Sequence, residues 1–205
     1  MLTVVRKKMK PIETKYNGLR FRSRLEARWA VFFDKLNLKY QYEPEAYEID
    51  GINYLPDFYL PELNLFIEIK PINPSGEELE KIIAFSRHKE ILLLIGSPYA
   101  QFDRYGHGVR LDYVGEYFVP MPESEKTPDS DDHLIWKSPF VFIQCRDCEN
   151  IGIESRGYHF QDYLEDDLKN HGGFSGFCCS EKTGWASSEK LIAAYEEARS
   201  YIFWQ

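Results

Sequence analysis

The chain has 205 residues, 43% of them hydrophobic and 16% aromatic, which suits one domain of ordinary size or one domain with a small appendage. A net charge of −8 and a pI near 5.2 argue against a globally basic nucleic-acid binder. The four cysteines are too few for a secreted disulfide scaffold, and the longest aliphatic run, Ile91 to Ile95, falls far short of the roughly 20 residues of a membrane span.

In chain order, the first feature is a local excess of base. Between Met1 and Arg28 nine lysines and arginines face only two acids, Glu13 and Glu26. Such an end can face phosphate or simply be solvated. "MLTVVRKKMK" lacks the apolar core of a signal peptide, so a cytoplasmic protein is expected, with no membrane partner. Asn17-Gly18 marks a turn, and "KYNGLRF" reads as a short hairpin. A helix follows. Ser23 is its N-cap, Glu26 stands three residues later as in a capping box, and Leu25, Trp29, Phe32, Phe33 and Leu36 recur at helical spacing. "KYQYEPEAYEI" reads as a strand interrupted at Pro44, and Asp50-Gly51 as a tight turn. "NYLPDFYL" and "LFIEIK" read as two strands. "SGEELEKIIAFSRHKE" reads as a helix capped by Ser75, and "ILLLIGS" as a strand buried on both faces. "VRLDYVGEYFV" supplies a further strand or pair.

At residues 120–134 the composition turns to proline, serine and acid, as in a linker or a long exposed loop. Beyond it lie strands with a cysteine-rich turn, a glycine-rich loop and a closing amphipathic helix. The expected organisation is an α/β core over residues 1–119, with a mixed central sheet flanked by helices, and a small α+β appendage over 135–205.

The stretch from Asn53 to Pro71, "NYLPDFYLPELNLFIEIKP", places Asp57, Glu68 and Lys70 among apolar neighbours. Alternation along "LFIEIK" sends Ile67 and Ile69 to one side and Glu68 and Lys70 to the other. If the two strands pair antiparallel, Asp57 comes near Glu68. Two close carboxylates repel each other unless a hard cation lies between them, and Mg²⁺ is bound by one or two carboxylates with water and phosphate. A neighbouring lysine can position or deprotonate a metal-bound water, or stabilise an oxyanion.

Pro56-Asp57 followed by Glu68-Ile69-Lys70 resembles the signature of the PD-(D/E)xK (restriction-endonuclease-like) nucleases. The order also resembles theirs: acid-bearing helix, hairpin with the Pro-Asp acid, the ExK strand, then a helix and another strand. The resemblance covers roughly Tyr16 to Ile95 and is similar especially to small stand-alone members of phage genomes, so the resemblance implies a chain that is phage-encoded and acts in the host cytoplasm. It implies that Asp57, Glu68 and the backbone carbonyl of Ile69 hold Mg²⁺ or Mn²⁺, that Glu26 extends the metal site, and that Lys70 holds the attacking water. It further implies hydrolysis of DNA phosphodiesters, by an endonuclease in preference to an exonuclease, to a 5′-phosphate and a 3′-hydroxyl. Many relatives of this fold cut as homodimers.

Other readings accompany these. Glu26 is explained by capping alone. Glu43 and Glu45 flank Pro44 as ligand or DNA contacts, or as ordinary exposed positions. Arg22, Arg24 and Arg28 suit phosphate contact or a solvated helix face. Cys145 and Cys148 have the spacing of a zinc knuckle, to be completed by Cys178 or Cys179, with His159 and His171 as alternatives for the fourth ligand. Reduced, partly buried cysteines explain the same pattern. Two other functions fit the chain: an inactive nucleic-acid-binding module of the same fold, and a phage-type factor whose acidic appendage engages a host protein.

Overall fold

The computed structural model describes residues 10–99, 115–120, 135–145, 148–155, 174–175, 184–185 and 188–204. The Asn17-Gly18 turn joins β1 (Thr14–Tyr16) to β2 (Leu19–Phe21), with both turn residues at positive φ, as a two-residue hairpin of this twist requires. Helix α1 (Arg24–Leu36) starts at Ser23, whose Oγ accepts the Glu26 N–H, and stops at Asn37 in the left-handed region. Strand β3 (Gln41–Tyr42) is followed by the hairpin of β4 (Tyr47–Ile49) and β5 (Ile52–Tyr54), turned at Asp50-Gly51. Then come β6 (Phe58–Leu60), β7 (Leu65–Lys70), α2 (Glu77–Ser86) and β8 (Ile91–Ile95). Strands β9 (Gly115–Pro120), β10 (Ile135–Cys145), β11 (Ile151–Ser155), β12 (Phe174–Ser175) and β13 (Gly184–Trp185) precede the last helix, α3 (Glu189–Ser200).

Two local expectations change. "NYLPDFYL" is two strands, because Pro56 has no N–H for a ladder and the chain passes there from the small β4–β5 sheet to the large one. Helix α2 is entered through Gly76, and no side chain caps it, so Ser75 does not serve as its N-cap.

The large sheet has nine strands among the described residues, in the order β12-β11-β10-β9-β8-β7-β6-β3, with β13 also on β10. β7 and β8 are parallel, joined through α2, and the other pairs are antiparallel, so the sheet is mixed. Strict alternation divides its side chains. Ile67, Ile69, Leu92 and Leu94 pack toward α1 and α3 with Trp29, Phe32, Phe33 and Tyr195. Phe66, Ile91 and Leu93 pack toward α2 with Ile82 and Phe85.

The expected separation of a core at 1–119 from an appendage at 135–205 does not hold for the described residues. β10 continues the sheet from β9, and Phe140, Phe142, Ile153, Leu191 and Tyr195 share one apolar cluster with α1. The change of composition at 120–134 marks a connection, much of it outside the described residues, whereas the apolar faces on either side of it are halves of one core. No helix among the described residues is long and apolar enough to cross a membrane.

Candidate active site

Side chains from α1, β3, β5 and β7, and from the residues just before α1 and β6, converge at one end of the β6–β7 pair. Asp57 stands at the crossing between the two sheets, just before β6. Its carbonyl accepts the Glu43 N–H at 2.9 Å, which fixes the backbone, and its side chain turns inward. Oδ2 accepts the Ile69 N–H at 2.7 Å and Oδ1 accepts from Arg22 Nη2 at 2.9 Å. Asp57 is only 4% exposed. Burial first, then the charges of Glu68 and Glu26, push its carboxyl well above the usual range, against the lowering effect of the Ile69 N–H and Lys70.

Glu68, 5% exposed, points from β7 toward the α2 side. Its Oε1 lies 2.6 Å from Lys70 Nζ, and its Oε2 accepts from the Tyr54 hydroxyl at 2.7 Å. Burial works against the charge on Lys70, but the neighbouring Glu68, its hydrogen bond and Asp57 outweigh burial and raise the ammonium above its ordinary value. Burial, then the charge of Glu68, push the Tyr54 hydroxyl up, so it remains a donor.

Glu26, 8% exposed, reconciles capping with a place in the cluster. Ser23 Oγ accepts the Glu26 N–H at 3.1 Å and donates its own hydrogen to Glu26 Oε1 at 2.6 Å. Oε2 accepts from the Tyr42 hydroxyl at 2.6 Å, and that hydroxyl accepts the Arg22 N–H at 2.9 Å. The carboxylate stays near the N-cap without reaching for the Ser23 N–H, and its charge is felt at Asp57.

Of the three arginines, Arg22 joins the cluster, with Nε 2.5 Å from Glu43 Oε1 and Nη2 on Asp57. Arg24 is half-buried, and its Nε has no hydrogen-bond partner. Arg28 turns the other way, donating to the carbonyls of Ala198 and Arg199 at 2.6 and 2.7 Å, which commits its guanidinium to the end of α3. Glu45 also stands apart from the site, accepting from the Tyr47 hydroxyl. Tyr42 and Tyr54 join the site although neither is among the candidate residues that the sequence singles out. Their signal was chemical: a tyrosine buried or half-buried in a strand must still place its hydroxyl.

Cys145 is buried at the end of β10 and Cys148 half-buried in the turn that follows. Cys178, Cys179, His159 and His171 lie outside the described residues, and with them the rest of the expected zinc site.

Among the described residues no group of three or more His, Cys, Asp or Glu side chains is arranged to hold a metal ion. The three acids are therefore not a ready three-ligand cage, since Ser23 and Tyr42 hold both oxygens of Glu26. The cluster does fit a two-carboxylate cation. Four acids, Glu26, Glu43, Asp57 and Glu68, meet two bases, Arg22 and Lys70. Each oxygen of Asp57 and Glu68 has one donor and keeps a lone pair. A divalent ion on that pair would balance the excess charge and relieve the strain on Asp57.

The chain matches no protein-family model, no curated protein and no solved structure.

Proposed function

We propose that the protein is a nuclease of the PD-(D/E)xK type that hydrolyses DNA phosphodiester bonds with Mg²⁺ or Mn²⁺. The observation that carries this reading is the burial of Asp57 and Glu68 together beside Lys70, with more acid than base around them. Buried like charges cost stability, and a fold retains them most readily where a cation or a reaction needs them.

When bound, the divalent ion supplies charge neutralisation and a water of lowered pKa. Asp57 and Glu68, with the Ile69 carbonyl as the third candidate, would hold it. The Ile69 N–H and the Tyr54 hydroxyl keep the two carboxylates oriented before any ligand arrives. Lys70 is held protonated by Glu68, so it acts as a hydrogen-bond donor and positive charge toward water and phosphate rather than as a base. Arg22 is half-exposed and shared between Glu43 and Asp57. A phosphate at the site offers its guanidinium a second, bidentate partner. The basic residues up to Arg24 supply further attraction for the backbone of DNA.

The test is incubation of supercoiled plasmid and of linear single- and double-stranded DNA with Mg²⁺, with Mn²⁺ and with EDTA, for wild type and Asp57→Ala. Metal-dependent cleavage that the variant loses is expected, with relaxed circles appearing if one strand is cut at a time. Binding of DNA by both proteins with no cleavage of any substrate would replace the nuclease with a binding module.

A further inference from the structure

We propose that the groove between the β1–β2 hairpin and the tail after α3 binds a single strand of nucleic acid, a base stacking on Trp204 and phosphates meeting Lys15 and Arg20. The groove encloses about 560 Å³, which is the size of a small-ligand pocket. Its floor is built from aromatic contacts. The Tyr201 and Phe203 rings lie 5.2 and 6.2 Å from the ring of Tyr16, edge to face. The Arg28 guanidinium lies 5.6 Å from the Phe203 centroid. These contacts anchor the tail at alternate residues.

The residues between them point outward, and Trp204 is 85% exposed. A tryptophan held by an anchored backbone, with its ring in water, is a surface that every base can stack on, because every base has a π-face. Lys15 lines the same groove, is exposed, and makes no ion pair among the described residues. Among the described residues Arg20 pairs with the exposed Glu13 alone, at 3.5 Å, a contact of little strength in water. A chain of net charge −8 thus presents two bases beside an open aromatic ring. That combination complements a phosphate backbone carrying unstacked bases better than it complements an apolar peptide.

The groove is separate from the acidic cluster. The Asn17 amide donates to Asp34, eight residues along α1 from Glu26, or roughly 12 Å at the rise of a helix. A strand lying here would extend from the metal site along the outside of α1. The choice of nucleic acid as occupant rests on the nuclease reading, whereas the groove itself does not.

The test is done in EDTA with the full chain, by fluorescence anisotropy of a labelled oligo(dT) and by quenching of intrinsic tryptophan emission. Trp204→Ala is expected to weaken binding about five-fold to a hundred-fold and to remove the quenching. Lys15→Glu with Arg20→Glu is expected to weaken it and to flatten its salt dependence. Asp57→Ala is expected to bind as wild type while losing cleavage. All of these positions in the groove are exposed, so circular dichroism should match wild type. Unchanged affinity in both groove variants, or competition by a peptide but not by oligonucleotide, would overturn the proposal. Loss of the nuclease reading alone would appear as intact groove binding without cleavage, and loss of the groove alone as cleavage with unaltered binding in the variants.

Discussion

The Ile69 N–H donates to Asp57 Oδ2 at 2.7 Å, so a backbone group of the ExK strand holds the acid of the preceding strand. Phe58 pairs with Ile67 in the ladder, and just beyond that ladder the carboxylate takes over from the backbone carbonyl as partner. The acid is fixed by the sheet itself, with little freedom to turn away from Glu68.

Asp57→Asn keeps an acceptor for Ile69 and removes a disfavoured charge. The folded-state pKa of Asp57 is raised above the unfolded value of about 3.9, so its contribution to stability is full below that value and is lost as pH rises through the folded pKa. In EDTA, Asp57→Asn should therefore melt above wild type at pH 8, with the difference shrinking toward pH 4. Mg²⁺ should raise the melting temperature of wild type and not of the variant. A wild type more stable than the variant at pH 8 in EDTA would contradict the electrostatic account.

Tyr54→Phe leaves Glu68 Oε2 buried without its donor. That loss should cost about 1–3 kcal/mol, or about 2–4 °C of melting temperature per kcal/mol. The freed carboxylate should also raise the Mg²⁺ concentration needed for half-maximal cleavage about ten-fold or more, as for other groups that orient a ligand. Metal titration of the cleavage rate reads this directly.

Glu26→Gln separates capping from catalysis. Ser23 still accepts the N–H of residue 26, so α1 should keep its stability to within about 0.5 kcal/mol, whereas Ser23→Ala should cost about 1 kcal/mol. Cleavage by Glu26→Gln should fall at least ten-fold. Full activity would leave Glu26 as a capping residue only.

Arg28→Met should lower the melting temperature by several degrees, because two helix-end carbonyls and the Phe203 ring lose their partner. DNA affinity, read away from the Trp204 groove with duplex substrate, should stay within two-fold, in contrast to a phosphate-binding arginine.

Gly115→Ala should destabilise the protein strongly. A Cβ there would overlap the Leu93 carbonyl oxygen, a contact with backbone that no rotamer relieves. Chemical denaturation of the variant checks it.

Much of this was readable from residues. Ser23, Asn17-Gly18 and Asp50-Gly51 announce local structure by mechanisms that need no distant partner, and the two faces of "LFIEIK" follow from alternation alone. What was not legible depends on contacts far apart in sequence. Arg28 looked like its basic neighbours because its partners lie 170 and 171 residues away. Tyr42 and Tyr54 carry no local signal because their acceptors, Glu26 and Glu68, are named by the fold. The boundary near residue 120 misled because composition reports a connection and is silent on which strand the chain rejoins.

The grip of Arg28 on the end of α3 has a historical implication. The helix that carries Glu26 rests on α3, so neither can be exchanged by recombination without exposing the other. Replacing α3 alone would strip the cover from the apolar face of α1. Change in one of these two helices should therefore be matched by change in the other.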